Sequence, residues 1–258
     1  MMMNYLKSEW YRITRRPTIY LFTLIVAGIT LAANIILFVF ANFDSGFPYA
    51  LVLFSLSNLL AGMPMLFGFA GLLVVLLYAD DRKNGTLKNA LVEGMPRWKL
   101  FTAKSLISVL MGILSMVVIL LVYIGSAVLL LEGPVIEPVG LLLGGVVAAL
   151  PSVIAVVVFA IACFHIFSSS NHAFIFWMAI IFVVPGVLST LGLYLEPLRL
   201  IASWLPTNFF RDALTANMSG FDCLWETPFG LTKCLVAGTG FSVLFFVIGL
   251  WHTKRMEF

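Results

Sequence analysis

The uncharged stretches of this chain set its plan. Runs without Asp, Glu, Lys or Arg cover residues 17–43, 45–79, 105–131, 138–195 and 234–253. A helix that crosses a bilayer needs about 20 apolar residues. The run 138–195 is long enough for two spans, with the Ser-Ser-Ser-Asn-His stretch at 168–172 as the hinge. Six spans are therefore predicted, at roughly 19–41, 55–78, 105–131, 140–167, 173–192 and 230–251. Within them Leu, Val, Ile, Phe and Gly run on without the period-two alternation of a barrel strand, so they read as helices. Pro64, Pro151 and Pro185 interrupt three spans and favour a kink in each.

Outside the spans two patterns stand out. At the N-terminus Met3, Leu6, Trp10 and Ile13 fall on one helical stripe, with Glu9, Arg12, Arg15 and Arg16 elsewhere. That describes an interfacial helix over residues 1–18, with Trp10 at headgroup level and arginines within reach of lipid phosphates. Pro17 ends it before the first span. The same residues also serve as a plain positive-inside anchor, and the two readings are compatible. In the loop 79–104, Gly85 is a punctuation point and Thr86 a fitting N-cap. Leu87, Ala90, Leu91 and Met95 then form a stripe, and Gly94, Met95 and Pro96 close the turn. Leaving Leu87, Leu91 and Met95 in water forgoes about 1.5–3 kcal/mol each relative to burial. They pack on this chain's own helix ends or on lipid, or else in a groove of a cytosolic partner.

Composition agrees with this plan. Of 258 residues, 62% are hydrophobic and 10% charged, where a soluble domain carries about 25% charged. The chain is a single membrane domain over 1–258. Twelve of its fifteen Lys and Arg lie in the N-terminal tail, the 79–104 loop and the C-terminal tail. Arg199, Arg211 and Lys233 are the other three. That bias places both termini and the loop in the cytoplasm of a plasma-membrane protein. The net charge of +3 is this topology signal and does not point to nucleic acid. The first span is too long, and lacks a small-residue site after it, to be a cleavable signal peptide.

The external segment 193–229 holds Glu196-Pro197 and the run Trp204, Leu205, Pro206, Thr207, Asn208, Phe209, Phe210. Pro197 and Thr207 suit the starts of short helices. These either dip into the outer leaflet under protein cover or pack as a surface loop over the helix ends. Gly140 and Gly144 make a small-residue pair for close packing, within the subunit or between copies. Cys163 lies in a span, while Cys223 and Cys234 are placed outside, their pairing left open.

Candidate chemistry is sparse. No Asp or Glu falls inside the six predicted spans, which argues against proton or sodium coupling and against an intramembrane protease. There is no zinc spacing, no H-E-x-x-H, no G-x-S-x-G and no phosphate loop. His165 and His172 read as packed or interfacial. The cytoplasmic segments are too small to fold a nucleotide-binding domain. No catalytic residue, metal or cofactor is assigned to this chain.

The order of an acidic-basic cluster, Gly-Thr-Leu, a short helix, Pro-Arg and then a Lys opening the next span resembles the permease subunits of type-2 ATP-binding-cassette exporters. The matching residues are Asp81, Gly85, Thr86, Leu87, Leu91, Pro96, Arg97 and Lys104. The family often has Glu where Asp80-Asp81 stands. The start Leu6-Lys7-Ser8-Glu9-Trp10-Tyr11-Arg12 resembles the lantibiotic- and bacitracin-resistance branch. The resemblance implies an all-α integral membrane fold: six spans, an N-terminal elbow helix, a cytoplasmic coupling helix between spans two and three, and short external helices before span six. It implies two cytosolic ATPase chains carrying ATP and Mg, and a second permease subunit, identical or paralogous. The implied cargo is an amphipathic or antimicrobial peptide, or a lipid-like compound, taken partly from the bilayer. The rivals are a membrane-embedded enzyme, which lacks the paired polar residues it needs, and a non-transporting immunity or sensor protein that binds a peptide toxin.

Overall fold

The computed structural model describes residues 2–44, 46–83, 94–167, 169–205, 207–208, 214–217 and 220–255. Helix α1 (Met2–Thr14) stops where Arg16 turns to extended backbone at φ −86°, ψ 125°. Pro17 then opens α2 (Pro17–Phe43), where its missing N–H costs nothing. A broken pair follows, α3 (Val52–Ala61) and α4 (Met63–Lys83). The long helices α5 (Arg97–Leu130) and α6 (Ile136–Ile166) come next. The fifth span is α7 (Ser170–Met178), a π-helical turn over Ala179–Val183, and α8 (Val184–Leu191). The chain ends with α9 (Glu196–Ala202), strands β1 (Leu214–Asn217) and β2 (Gly220–Cys223), a 3-10 turn at Leu224–Glu226, and α10 (Pro228–Arg255).

Five of these are long and apolar enough to cross a membrane: Pro17–Phe43, Arg97–Leu130, Ile136–Ile166, Ser170–Leu191 and Phe229–Thr253. The bent pair Val52–Leu60 and Met63–Tyr78 makes a sixth if it counts as one span. Its two arms meet at 59°, so this span is broken where a kink was expected at Pro64. The fifth span carries its irregularity as the π turn just before Pro185, which lacks the N–H that would continue the ladder.

Helix α6 is the hub. Of its span 67% is buried, against 17–33% for the other four unbroken ones. Glycines on α10 bring it close to its neighbours, as in other lipid-embedded pairs. A Cβ on Gly238 would stand 2.7 Å from Ser152 N of α6, and one on Gly249 2.3 Å from the Phe101 ring of α5. Ser242 Oγ donates to the Pro151 carbonyl at 2.9 Å, and Phe159 stacks on Phe245 at 4.4 Å between centroids.

A second seam joins α2, α3 and α5 through buried polar groups. Asn34 Nδ2 donates to the Tyr123 carbonyl at 3.0 Å and to Ser126 Oγ at 2.7 Å. Ser55 Oγ lies 2.5 Å from Asn34 Oδ1, and Tyr123 Oη donates to the Ser55 carbonyl at 2.6 Å. A buried amide with each group partnered fixes helix register at little cost.

Three expectations change. Cys234 lies inside α10 as a buried free thiol, so it neither faces outside nor pairs with Cys223. Close packing on α6 falls at Gly145, where a Cβ would meet Leu60 at 2.7 Å; the space beside Gly140 is open, and Gly144 faces Trp225 of the same chain. The external segment has a short helix at the expected Glu196 start and helical backbone at Thr207 and Asn208, while among its later described residues β1 pairs with β2, Leu214 opposite Cys223.

Candidate functional site

One end of the bundle gathers α1, α4, α5, α6 and α10 around a buried ion pair. Helix α1 turns Leu6 and Ile13 into the core. Glu9 stands one turn from each on the same face and is 5% exposed. Its Oε2 accepts from Lys104 Nζ at 2.9 Å, and Lys104, two turns from its helix start, is 3% exposed. Arg12, three residues along α1, forms a second ion pair with the same oxygen. The buried Lys104 and the half-buried Arg12 on one carboxylate oxygen offset much of the desolvation that Glu9 would suffer alone.

Aromatic rings surround the pair. Lys104 Nζ lies 5.7 Å from the Tyr78 ring centroid, close enough for a cation–π contribution. Tyr78 stacks on Phe164 at 5.6 Å and meets His165 edge-on at 5.7 Å. Phe101 meets the other side of His165 at 5.4 Å. His165 is buried, and its Nδ1 donates to the Ile161 carbonyl at 2.9 Å. The sequence reading of His165 as a packed histidine agrees with this place.

The arrangement gains meaning from the chain path. Tyr78 is near the end of α4 and Lys104 near the start of α5, so both flanks of the intervening loop are held in one cluster. Helix α5 has 34 residues, about 51 Å at 1.5 Å per residue, against a hydrocarbon layer of about 30 Å. Its first turns therefore extend beyond the hydrocarbon, and the cluster sits where the bundle meets the interface.

The predicted site residues fall as follows. Asp81 is in the last turn of α4, while Gly85, Thr86, Leu87 and Leu91 lie outside the described residues. Met95 is buried against Leu100 and Tyr5, within this chain. Gly94 before it takes φ +81°, a backbone that suits glycine. Pro96 is the N-cap of α5 and Arg97 its first residue. On α1, Leu6 and Ile13 of the expected interfacial stripe point into the bundle, while Met3 and Trp10 are 66% and 38% exposed. Glu9, expected off the stripe, takes the inward position. Arg15 is exposed and lies over the Tyr11 ring at 5.0 Å, and Arg16 forms the link to α2.

At the opposite end of the bundle Trp204 faces Lys233, whose Nζ is 5.1 Å from the ring. Pro206, Phe209 and Phe210 lie outside the described residues. Asn208 is buried and pins this segment, its Nδ2 donating to the Ala202 carbonyl at 2.9 Å and to the Pro185 carbonyl at 3.2 Å.

Glu9, Tyr78 and Lys104 were not singled out as a group by sequence reasoning. The signal was present for Glu9, which is spaced three from Leu6 and four from Ile13. A charge at such a position is read by default as solvent-facing.

The family model described as ABC-2 family transporter protein matches residues 56–251, well over half of the chain. This chain belongs to the ABC-2 transporter family. The permease is thus a multi-pass membrane component of an ABC transporter, a transport subunit and not a catalyst in itself, and the family implies an ATPase partner. The matched region takes in most of the broken second span, the 79–96 loop, and Tyr78 and Lys104 on its flanks; Glu9 and Arg12 lie before it. No curated protein and no solved structure matches the permease.

Proposed function

We propose that this permease is half of the membrane domain of an ATP-driven exporter, and that the 79–96 loop receives the ATPase stroke. Both termini and the loop are cytoplasmic, as the distribution of Lys and Arg requires. Two cytosolic ATPase copies carry ATP and Mg, and a second permease, identical or paralogous, completes the dimer. The cargo is an amphipathic or antimicrobial peptide, or a lipid-like compound, in keeping with the lantibiotic- and bacitracin-resistance branch that Leu6–Arg12 resembles.

The observation that carries this reading is the Glu9–Lys104 pair with Tyr78 alongside. It ties the end of α4, the start of α5 and the amphipathic α1 into one unit beside α6. A push on the loop thus reaches two spans and the hub together. Asp81, Gly85, Thr86, Leu87 and Leu91 supply the surface that meets the ATPase. Met95, Pro96 and Arg97 anchor its trailing end.

The test is ATP-dependent export of a fluorescent cationic lantibiotic from cells carrying wild type or Leu91→Glu. A buried charge in the ATPase contact should abolish export while membrane abundance is unchanged. Retained export in a well-expressed Leu91→Glu protein would sink the coupling role. Peptide binding that survives without any ATP-dependent movement, in wild type as well, would favour a toxin-binding immunity protein.

A further inference from the structure

A cleft of about 90 Å³ opens among α2, α3, α4, α5 and α6. Thr30 is the middle residue of Pro17–Phe43, and Leu150 is at the middle of Ile136–Ile166. Both line the cleft, so it sits near mid-membrane depth. No charged residue lines it. Its hydroxyls are already engaged: Thr30 Oγ1 donates to the Ala27 carbonyl, and Ser115 Oγ accepts from Thr23. Nothing polar is left to hold water, and apolar cavities of this kind stay dry or take apolar ligands.

We propose that this cleft binds the acyl chain of a bilayer phospholipid. Depth argues for hydrocarbon, because chain ends are the solvent there. Size argues against a peptide or a compact drug-sized molecule, whose pockets run to about 300–1,000 Å³; a few methylene groups fit. The lining also bears on the broken span. Leu59 comes from α3 and Leu66 from α4, on either side of the 59° bend. A chain seated there touches both arms and supports the bent form. This inference requires only a membrane-embedded chain and is independent of the cargo reading.

The experiment uses the full-length permease in phosphatidylethanolamine–phosphatidylglycerol nanodiscs, doped with a phosphatidylcholine carrying a mid-chain diazirine. After irradiation, adducts are mapped by peptide mass spectrometry. They should concentrate on facing walls of the cleft, Leu66 and Met116, and exceed those on outward-facing Val117 and Leu121. A Cβ on Gly112 meets open space, so Gly112→Phe fills the cleft from one wall. It should cut cleft adducts at least fivefold, and Ala70→Leu from the opposite wall should do the same should the first variant fail to fold. Gly28→Phe, at an open position on an exposed face of α2, should leave labelling unchanged. Even labelling of cleft and outward positions, insensitive to both filling variants, would overturn the proposal. So would cross-linking of a Met116→Cys protein to a second copy in place of lipid adducts.

Discussion

Replacing Glu9 by Gln keeps the side chain's shape and removes its charge. The ammonium of Lys104 then loses a carboxylate at 2.9 Å in a place where water hardly reaches either group. Breaking a buried ion pair from one side costs about 3–5 kcal/mol. That cost falls on the docking of α1, because Glu9 is its polar attachment to α5. Expressed as an opening equilibrium, it is roughly a 10²–10⁴-fold shift. Hydrogen exchange of α1 amides in nanodiscs reads that shift directly, since α1 opens below the global limit. Lys104→Met should cost less, because Arg12 still faces Glu9 and keeps partial access to water, its side chain 23% exposed. The double variant Glu9→Gln/Lys104→Met should recover most of the protection, since it leaves no buried charge opposite an amide. Unchanged exchange in Glu9→Gln, or a double variant no better than Glu9→Gln alone, would refute the claim that this pair fastens α1.

The remaining predictions concern the packing that holds the cluster in place. Gly238→Ala should lower thermal stability in detergent by about 1–3 kcal/mol, because its Cβ meets the backbone of Ser152. Gly240→Ala, with nothing within 4 Å, should leave the melting temperature level or slightly higher. Asn34→Leu strips partners from Ser55, Tyr123 and Ser126 and should cost about 0.5–2 kcal/mol by the same melting assay. Cys163 and Cys234, both buried free thiols, should resist maleimide in the folded permease and react once it is denatured; labelling of Cys234 under native conditions would contradict its place inside α10.

The spans were legible because a bilayer demands long apolar runs, and the charges at their ends are read directly from composition. Helix α1 and the stop at Pro17 were legible for similar reasons of period and backbone. The ion pair was not, because counting Lys and Arg for topology treats each as solvated; Lys104 served that count and yet is buried. The Asn34 network joins residues 89 and 92 positions apart, which no local pattern reports. The pairing of Leu214 with Cys223 spans ten residues and is too short for a periodic signal. Met95 shows the reverse case. Its apolar character predicted burial correctly, but Tyr5 and Leu100 cover it within the chain.

The central claim is that this permease works with a separate ATPase. Its most direct test is purification of the intact complex from the host membrane in mild detergent, with subunit stoichiometry by native mass spectrometry. The account predicts one nucleotide-binding ATPase chain per permease chain, in an assembly containing two permeases. A homo-oligomer of the permease with no ATPase, under conditions that keep a control exporter whole, would contradict it.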